Sequence, residues 1–460
     1  MKISTINYSN SVMHKQQKRS QEINKNSTEA YAITLGTIAI TGIAIGSFIY
    51  SQNKNEFRKK LANDLSKELN EKISPKQLKS VISNKELLKI LSNLKEKNYI
   101  ASTENIKNGT FLADLHSHSH YSDGTIKIID LLEQAAKYGN KLNKINGKKF
   151  TIALSDHDGI EGVKEALKII AKNPKRYKNI NFVPASELSF IMPTAKNSER
   201  AKRFNSSVEM PELLIYGINP FSKETINFYD NLYSKRKEQI FKSIEDAKKI
   251  LPEVNFDIAE YIKFFNPEEK YCFLNQHWKI WNYLHTKTLI TNVAKEHNMN
   301  IEVLYNEICS TLKKNINPYT VNEYFKNHNI STNIEKLNPD LSTYLQNNIF
   351  PKKINETEAK SLYEPSFADL VDFAKKENAI LGFAHPGFTM QNFERFKMHT
   401  QMEAFIKASD GRLKLIEKYH QAYPIGSAID SYELEQYNTI IDKLNLIQMG
   451  GRDNHKPNLF

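Results

Sequence analysis

Cysteine is nearly absent: Cys272 and Cys309 are the only two in 460 residues. Two thiols without metal-ligand spacing exclude a disulfide framework, and they favour a reducing compartment. Cysteine chemistry is therefore not the route to function. Arginine is missing from a long stretch, with none between Arg236 and Arg395. Charge is missing from another, since no Asp, Glu, Lys or Arg lies between Glu29 and Lys54. What is present is ordinary for a globular chain: 40% hydrophobic and 25% charged residues, enough to bury a core. The formal charge of +12 suits an anionic partner such as phosphate, nucleic acid or a lipid surface. A solvated lysine-rich surface accounts for most of it.

Along the chain the texture changes several times. Residues 1–29 are polar and read as a disordered tail. Residues 30–50, AYAITLGTIAITGIAIGSFIY, are uncharged, and about 20 apolar residues span a bilayer as a helix. The expectation is a retained single-pass anchor, with Gly42 and Gly46 as a GxxxG pair for self-association. Basic residues flank it on both sides, so orientation stays open; a cytoplasmic soluble part follows from the scarce cysteine. Residues 51–108 carry leucines at helical spacing (Leu61, Leu65, Leu69, then Leu87, Leu91, Leu94) and read as a helical stalk or small cap. Pro75 stands at an expected helix start.

From Phe111 onward short apolar runs alternate with helical stretches. FLADL, FTIALS, INFVPAS, LLIYGI and AILGFAH predict βα units and a parallel sheet or barrel. The boundaries are 109–221 and 360–460 for the barrel, with 222–359 as an inserted helical subdomain.

Five segments close predicted strands and carry chemistry. They are Asp114-Leu115-His116-Ser117-His118 running to Asp123-Gly124, Ser155-Asp156-His157-Asp158, Glu187 in PASELS, His385-Pro386-Gly387, and Arg452-Asp453-Asn454-His455. In a strand, residues i and i+2 face one way, about 6.6–6.8 Å apart. His116 with His118, and Asp453 with His455, can thus aim pairs of donors into one cavity. Strand C-termini in α/β folds surround a common site, and mixed imidazole and carboxylate donors suit zinc, manganese or iron. Singly, each segment has a plain alternative, such as an accidental HxH or a helix N-cap. Five in order, all at strand ends, predict a metal site.

The ordered set DLHSHSHYSDG, SDHD, ASE, AHPG and GRDNH resembles the PHP (polymerase and histidinol phosphatase) family over about 110–220 and 360–460. The insertion resembles that of a subgroup acting on small nucleotides or RNA 5′ ends. KRKEQIFKSIEDAKKI and IEKYHQAYP, with Glu417 and His420, match that subgroup more loosely. The resemblance implies a distorted (β/α)7 barrel holding two or three divalent ions. The implied ligands are His116, His118, Asp123, His157, Glu187, His385, Asp453 and His455, with His120 at the mouth. Two departures stand out. Leu214 occupies a position where the family usually has histidine; Glu212, two residues earlier on the same face, is a candidate substitute. Relatives in that subgroup tend to use an arginine from the insertion, yet none lies between Arg236 and Arg395; Arg236, Arg452, Lys279, Lys287 and Lys456 are the candidate anion contacts.

The implied reaction is hydrolysis of a small phosphomonoester, with a nucleotide as leading substrate. Glu187 lies between ions, His157 or Asp453 protonates the leaving oxygen, and Asp156 orients a histidine. Two alternatives stay open. One is an exonuclease on single-stranded RNA or DNA ends, suggested by the aromatics Tyr261, Phe264, Phe265, Tyr271, Phe273, Trp278, Trp281 and Tyr283. The other is a membrane-tethered binding module with impaired catalysis.

Overall fold

The computed structural model describes residues 56–99, 107–190, 192–193, 208–209, 211–265, 276–312, 316–330, 340–341, 365–385, 398–420, 439 and 441–459. The chain divides into two units, 1–57 and 58–460. The second contains the fold and the site.

Every predicted strand forms. β1 (Ala113–Asp114), β2 (Phe150–Leu154) and β3 (Ile180–Ser189) pair in parallel. A short hairpin of β4 (Met192–Pro193) and β5 (Val208–Glu209) follows, and then β6 (Glu212–Tyr216). β7 (Ile380–Phe383), β8 (Leu413–His420) and β9 (Ile447–Gly451) pair in parallel again. The seven-stranded sheet runs β1-β2-β3-β6-β7-β8-β9. β2 reads FTIAL and is buried along its whole length, as expected of a strand covered on both faces.

The sheet is mixed, which the parallel expectation did not include. β6 pairs antiparallel with both β3 and β7. Antiparallel neighbours need no crossover helix, and among the described residues β4 and β5 are the elements between β3 and β6. β6 therefore starts at the rim where its neighbours end. The edges of the sheet nearly meet. Leu115 N–H donates to the Gly450 carbonyl at 3.2 Å, and Asp453 N–H to the His116 carbonyl at 2.9 Å. Gly451 permits this seam, since a Cβ there would lie 2.3 Å from the His116 Cβ. The result is a nearly closed barrel with helices outside, such as Ile128–Asn146 and Glu161–Lys172.

Of the two forms expected for 51–108, the described residues take the cap. Val81 bridges Phe182 on β3, and Arg58 makes two 2.9 Å bonds to Glu86. The helix Asn84–Leu91 starts at a capping box of Ser83 and Glu86. Its Leu87 and Leu91 pack with Leu115, Leu214, Tyr216 and Met449 inside the barrel. Pro75 opens a run of turns rather than a helix.

Helices follow β6. Lys223–Ile250 starts on the N-cap Ser222, whose hydroxyl accepts from Thr225 N–H. Its Tyr229 and Leu232 pack on the outer face of the barrel. Its Ile240, Ile244 and Ala247 join a separate core with residues of Gln276–Glu296, Ile301–Leu312 and Pro318–Asn327. Tyr261, Phe264 and Tyr283 are buried in that core, with Tyr283 edge-on to both partners. These aromatics build a fold interior, not an exposed stacking channel. Tyr271 and Phe273, with the side chains of Phe265 and Trp278, lie outside what the structure describes.

The expected membrane anchor is corrected. Among the described residues no helix is long and apolar enough to cross a membrane. Lys223–Ile250 and Gln276–Glu296, at 28 and 21 residues, have the length but would carry Lys, Arg and Glu into hydrocarbon. Residues 30–50 themselves lie outside the described residues. Their lack of charge was the main warrant for an anchor, and three threonines and three glycines dilute it. The single-pass placement, the membrane contact and self-association through that segment are withdrawn.

Candidate metal centre

The strand ends converge. His116 and His118 follow β1 on one face, fully buried. His157 follows β2 and bridges Glu187, which lies near the end of β3. His385 follows β7, and Asp453 and His455 follow β9. Asp123 comes from the loop after His118, where Gly124 is required: a Cβ there would sit 2.7 Å from the His118 carbonyl. His385 and Asp453 have positive φ, +24° and +50°. Such strain in non-glycine residues gathers where side-chain placement matters more than backbone comfort.

Glu187 is the hub. One carboxylate oxygen lies 2.8 Å from His116 Nε2, 3.2 Å from His118 Nε2 and 3.4 Å from His157 Nδ1. The other lies 3.1 Å from His385 Nε2. Asp453 Oδ1 is 3.0 Å from His118 Nε2. Toward the opening, Asp123 Oδ2 lies 3.1 Å from His455 Nε2 and 3.6 Å from His157 Nε2. Three donor groups result, each compact enough for one ion: His118, Asp123, His157 and His455; His116, His118, Glu187 and Asp453; and His157, Glu187 and Glu212.

The electrostatics fit bound cations. Burial opposes a charge on these imidazoles, yet the carboxylates prevail. Glu187, Glu417 and Asp453 hold His116 well above the ordinary imidazole range. Against the same burial, Asp453 and Glu187 raise His118 to about 10, and Glu187 raises His385 to about 9. Glu187 is in turn drawn well below the usual carboxylate value by His116 and His157, against the upward push of burial. Carboxylates so placed demand positive charge. Divalent ions supply it and leave the imidazoles neutral as ligands. The donor set therefore fits metals of the zinc, manganese and iron type.

Supporting contacts are partly where expected. Asp156 does not touch a site histidine. Its carboxylate accepts from Ser119 N–H at 2.6 Å, Ser119 hydroxyl at 2.8 Å and Ser122 hydroxyl at 2.8 Å, holding the loop that carries Asp123. Glu417 does the orienting: it faces His116 Nδ1 at 3.1 Å and accepts from the His385 amide at 2.8 Å. A register shift beside Glu417 in β8 marks a bulge, a device that re-aims side chains. The motif IEKYHQAYP held this signal, but Lys414, Glu417 and Lys418 broke up the apolar run LKLIEKYH and concealed the strand.

The candidate phosphate contacts are dispersed. Arg236 is buried in the insertion's first helix, 2.6 Å from Asp158, the neighbour of His157. Arg452 bonds Asp114 through both its amide, at 3.0 Å, and Nε, at 2.9 Å. Lys287 is paired with Glu260 at 2.5 Å in the insertion. Lys279 is half-buried on the same helix, and Lys456 is exposed beside His455. His120 is half-buried with its amide bonded to Ile126, outside all three donor groups.

No family model and no curated protein match the chain. Several solved structures resemble it, two of them as follows. One, from Bifidobacterium adolescentis, is described as a candidate metal-dependent phosphoesterase. It is 14% identical, the alignment covers 75% of this chain and 89% of that one, and the TM-score is 0.40. The other is an amidohydrolase from Chromobacterium violaceum, solved with sulfate and without metal. It is 15% identical, with 75% and 88% covered and a TM-score of 0.41. Scores this low leave the functional argument to the geometry.

Proposed function

We propose that the chain is a metal-dependent phosphoesterase hydrolysing a small phosphomonoester, with a nucleotide as leading substrate. The observation that carries this reading is the meeting of five histidines and the carboxylates Asp123, Glu187 and Asp453 around one cavity. The ordered motifs and their resemblance to the PHP family support phosphate over other esters. His116, His118, Asp123, His157, Glu187, His385, Asp453 and His455 would hold two or three divalent ions. Those ions would supply an acidified water and counter-charge for the phosphoryl oxygens.

The chain's own groups do the rest. The deep side, His116, His118 and Glu187, is closed to solvent, while Asp123 and His455 side chains remain 38% and 37% exposed. An ester enters past that open side. As a water oxygen bonds to phosphorus, the ester oxygen departs with the bonding pair and takes a proton. We assign its delivery to His157 or Asp453. Lys456 supplies positive charge outside the mouth. Glu417 keeps His116 and the His385 backbone in position.

The test uses the full chain loaded with manganese, zinc or iron and offered an aryl phosphate, mononucleotides, nucleoside bisphosphates and short RNA. Expected are stoichiometric metal and turnover on monoesters, reduced at least about 100-fold in His118→Ala. Turnover confined to RNA ends would transfer the assignment to a nuclease. A metal-free chain inert on every substrate would leave only a binding module.

A further inference from the structure

β6 runs against its neighbours and delivers a carboxylate to a place where the resemblance anticipates an imidazole. Leu214 is fully buried within the barrel, opposite Glu187 and Gly382 in the sheet. It packs with Leu115, Tyr216 and Met449 and offers no donor atom. Glu212 lies two residues earlier on the same face, nearer the rim, because β6 begins where β3 and β7 end. Its Oε2 is 3.2 Å from His385 Nε2 and its Oε1 is 3.8 Å from His157 Nδ1. The Ser189 hydroxyl, 3.4 Å from Oε1, steadies it. A free strand-start glutamate would turn to solvent, yet this side chain is only 27% exposed and faces histidines from two other strands.

The donor arithmetic gives Glu212 a site of its own. A neutral imidazole has a single lone pair. His157 presents Nε2 to Asp123 and Nδ1 to Glu187 and Glu212, so it can serve the group at the opening or this one, not both. His385 Nε2 is the nearer nitrogen here, 3.1 Å from Glu187 and 3.2 Å from Glu212. The group at the opening has three imidazoles and one carboxylate. His385, Glu187 and Glu212 form instead a set with two carboxylates and one imidazole. Two carboxylates this close on a largely buried wall repel each other until a proton or a cation comes between them. Carboxylate-rich sets favour harder ions.

We propose that Glu212, with Glu187 and His385, forms a separate metal site that prefers manganese or magnesium to zinc. This deepens the phosphoesterase reading and rests on it for the site's role, but not for its geometry. The experiment strips the full chain of metal, then counts bound ions by equilibrium dialysis against manganese and against zinc, with electron paramagnetic resonance reporting the manganese environment. Glu212→Gln, isosteric at a strand start, is expected to lose one manganese equivalent, a weakening beyond the about 10- to 100-fold typical of losing an outer-shell partner. The remaining ions should stay. Glu212→His should keep the count but reverse that site's preference toward zinc. Thermal midpoints of both variants check folding. If both variants match the parent in count and preference, the Glu212 site is wrong while the phosphoesterase reading stands. A parent chain that binds no ion would overturn both.

Discussion

Glu417 has no exposed surface, yet two site histidines depend on it. Its carboxylate, 3.1 Å from Nδ1 of His116, selects the tautomer that leaves Nε2 free to face Glu187. Its second contact, 2.8 Å from the His385 amide, holds a residue whose φ of +24° is strained. An amide keeps the shape and loses the charge. Glu417→Gln should therefore fold normally and weaken metal binding by about 10- to 100-fold, with a parallel fall in kcat. Metal titration followed by calorimetry checks this. Unchanged affinity would show that packing alone orients His116.

At the scale of elements, the site depends on how β9 meets β1. The seam is closed by Leu115 N–H to Gly450, Asp453 N–H to His116 and His118 N–H to Asn454, with Arg452 bonded to Asp114 beside them. Gly451 lies against His116, and a methyl there would come within 2.3 Å of its Cβ and 2.5 Å of its amide nitrogen. Backbone cannot yield as a side chain can. Gly451→Ala is thus expected to cost about 1–3 kcal/mol by overpacking and to open the seam. Thermal unfolding reads the loss, and faster hydrogen exchange at the Leu115 amide reads the opening. A protected Leu115 amide in the variant would count against this account. The antiparallel β6 acts on the same scale, since its direction sets which end of ELLIY reaches the rim.

At the scale of the molecule, the helix Lys223–Ile250 joins two hydrophobic cores, packing on the barrel with its first half and within the insertion with its second. Near the second core His285 is buried, its ring against Trp281 at 4.6 Å. Burial pushes its pKa down to about 4. The folded chain keeps this imidazole neutral, whereas the unfolded chain protonates it near the ordinary value of about 6.5. Its contribution is complete above about pH 6.5 and is lost as pH falls toward 4. The comparison is with His285→Leu, which cannot titrate. Between pH 7 and 5 the parent should lose about 2 kcal/mol more stability than the variant. Denaturant unfolding of both chains at the two pH values measures it. Parallel losses would mean that His285 is hydrated in the folded chain. The differential design matters because His118 and His385, raised by their carboxylates, titrate in the opposite sense when metal-free.

The sequence by itself determined which residues end each strand and therefore which donors reach the cavity. His116, His157, Glu187, His385 and Asp453 were legible because strand periodicity and strand ends are local properties. The helical character of the described residues after β6 was legible too, from helical spacing. Tertiary structure alone decided the direction of β6, the use of Glu212 at the rim, the burial of Arg236 against Asp158 and the role of Glu417. It also turned residues 58–99 from a possible stalk into a barrel cap. These outcomes come from contacts between residues far apart in the chain. Strand direction leaves no mark on the pattern of apolar residues, and a carboxylate's partner is set by whichever strand lies beside it.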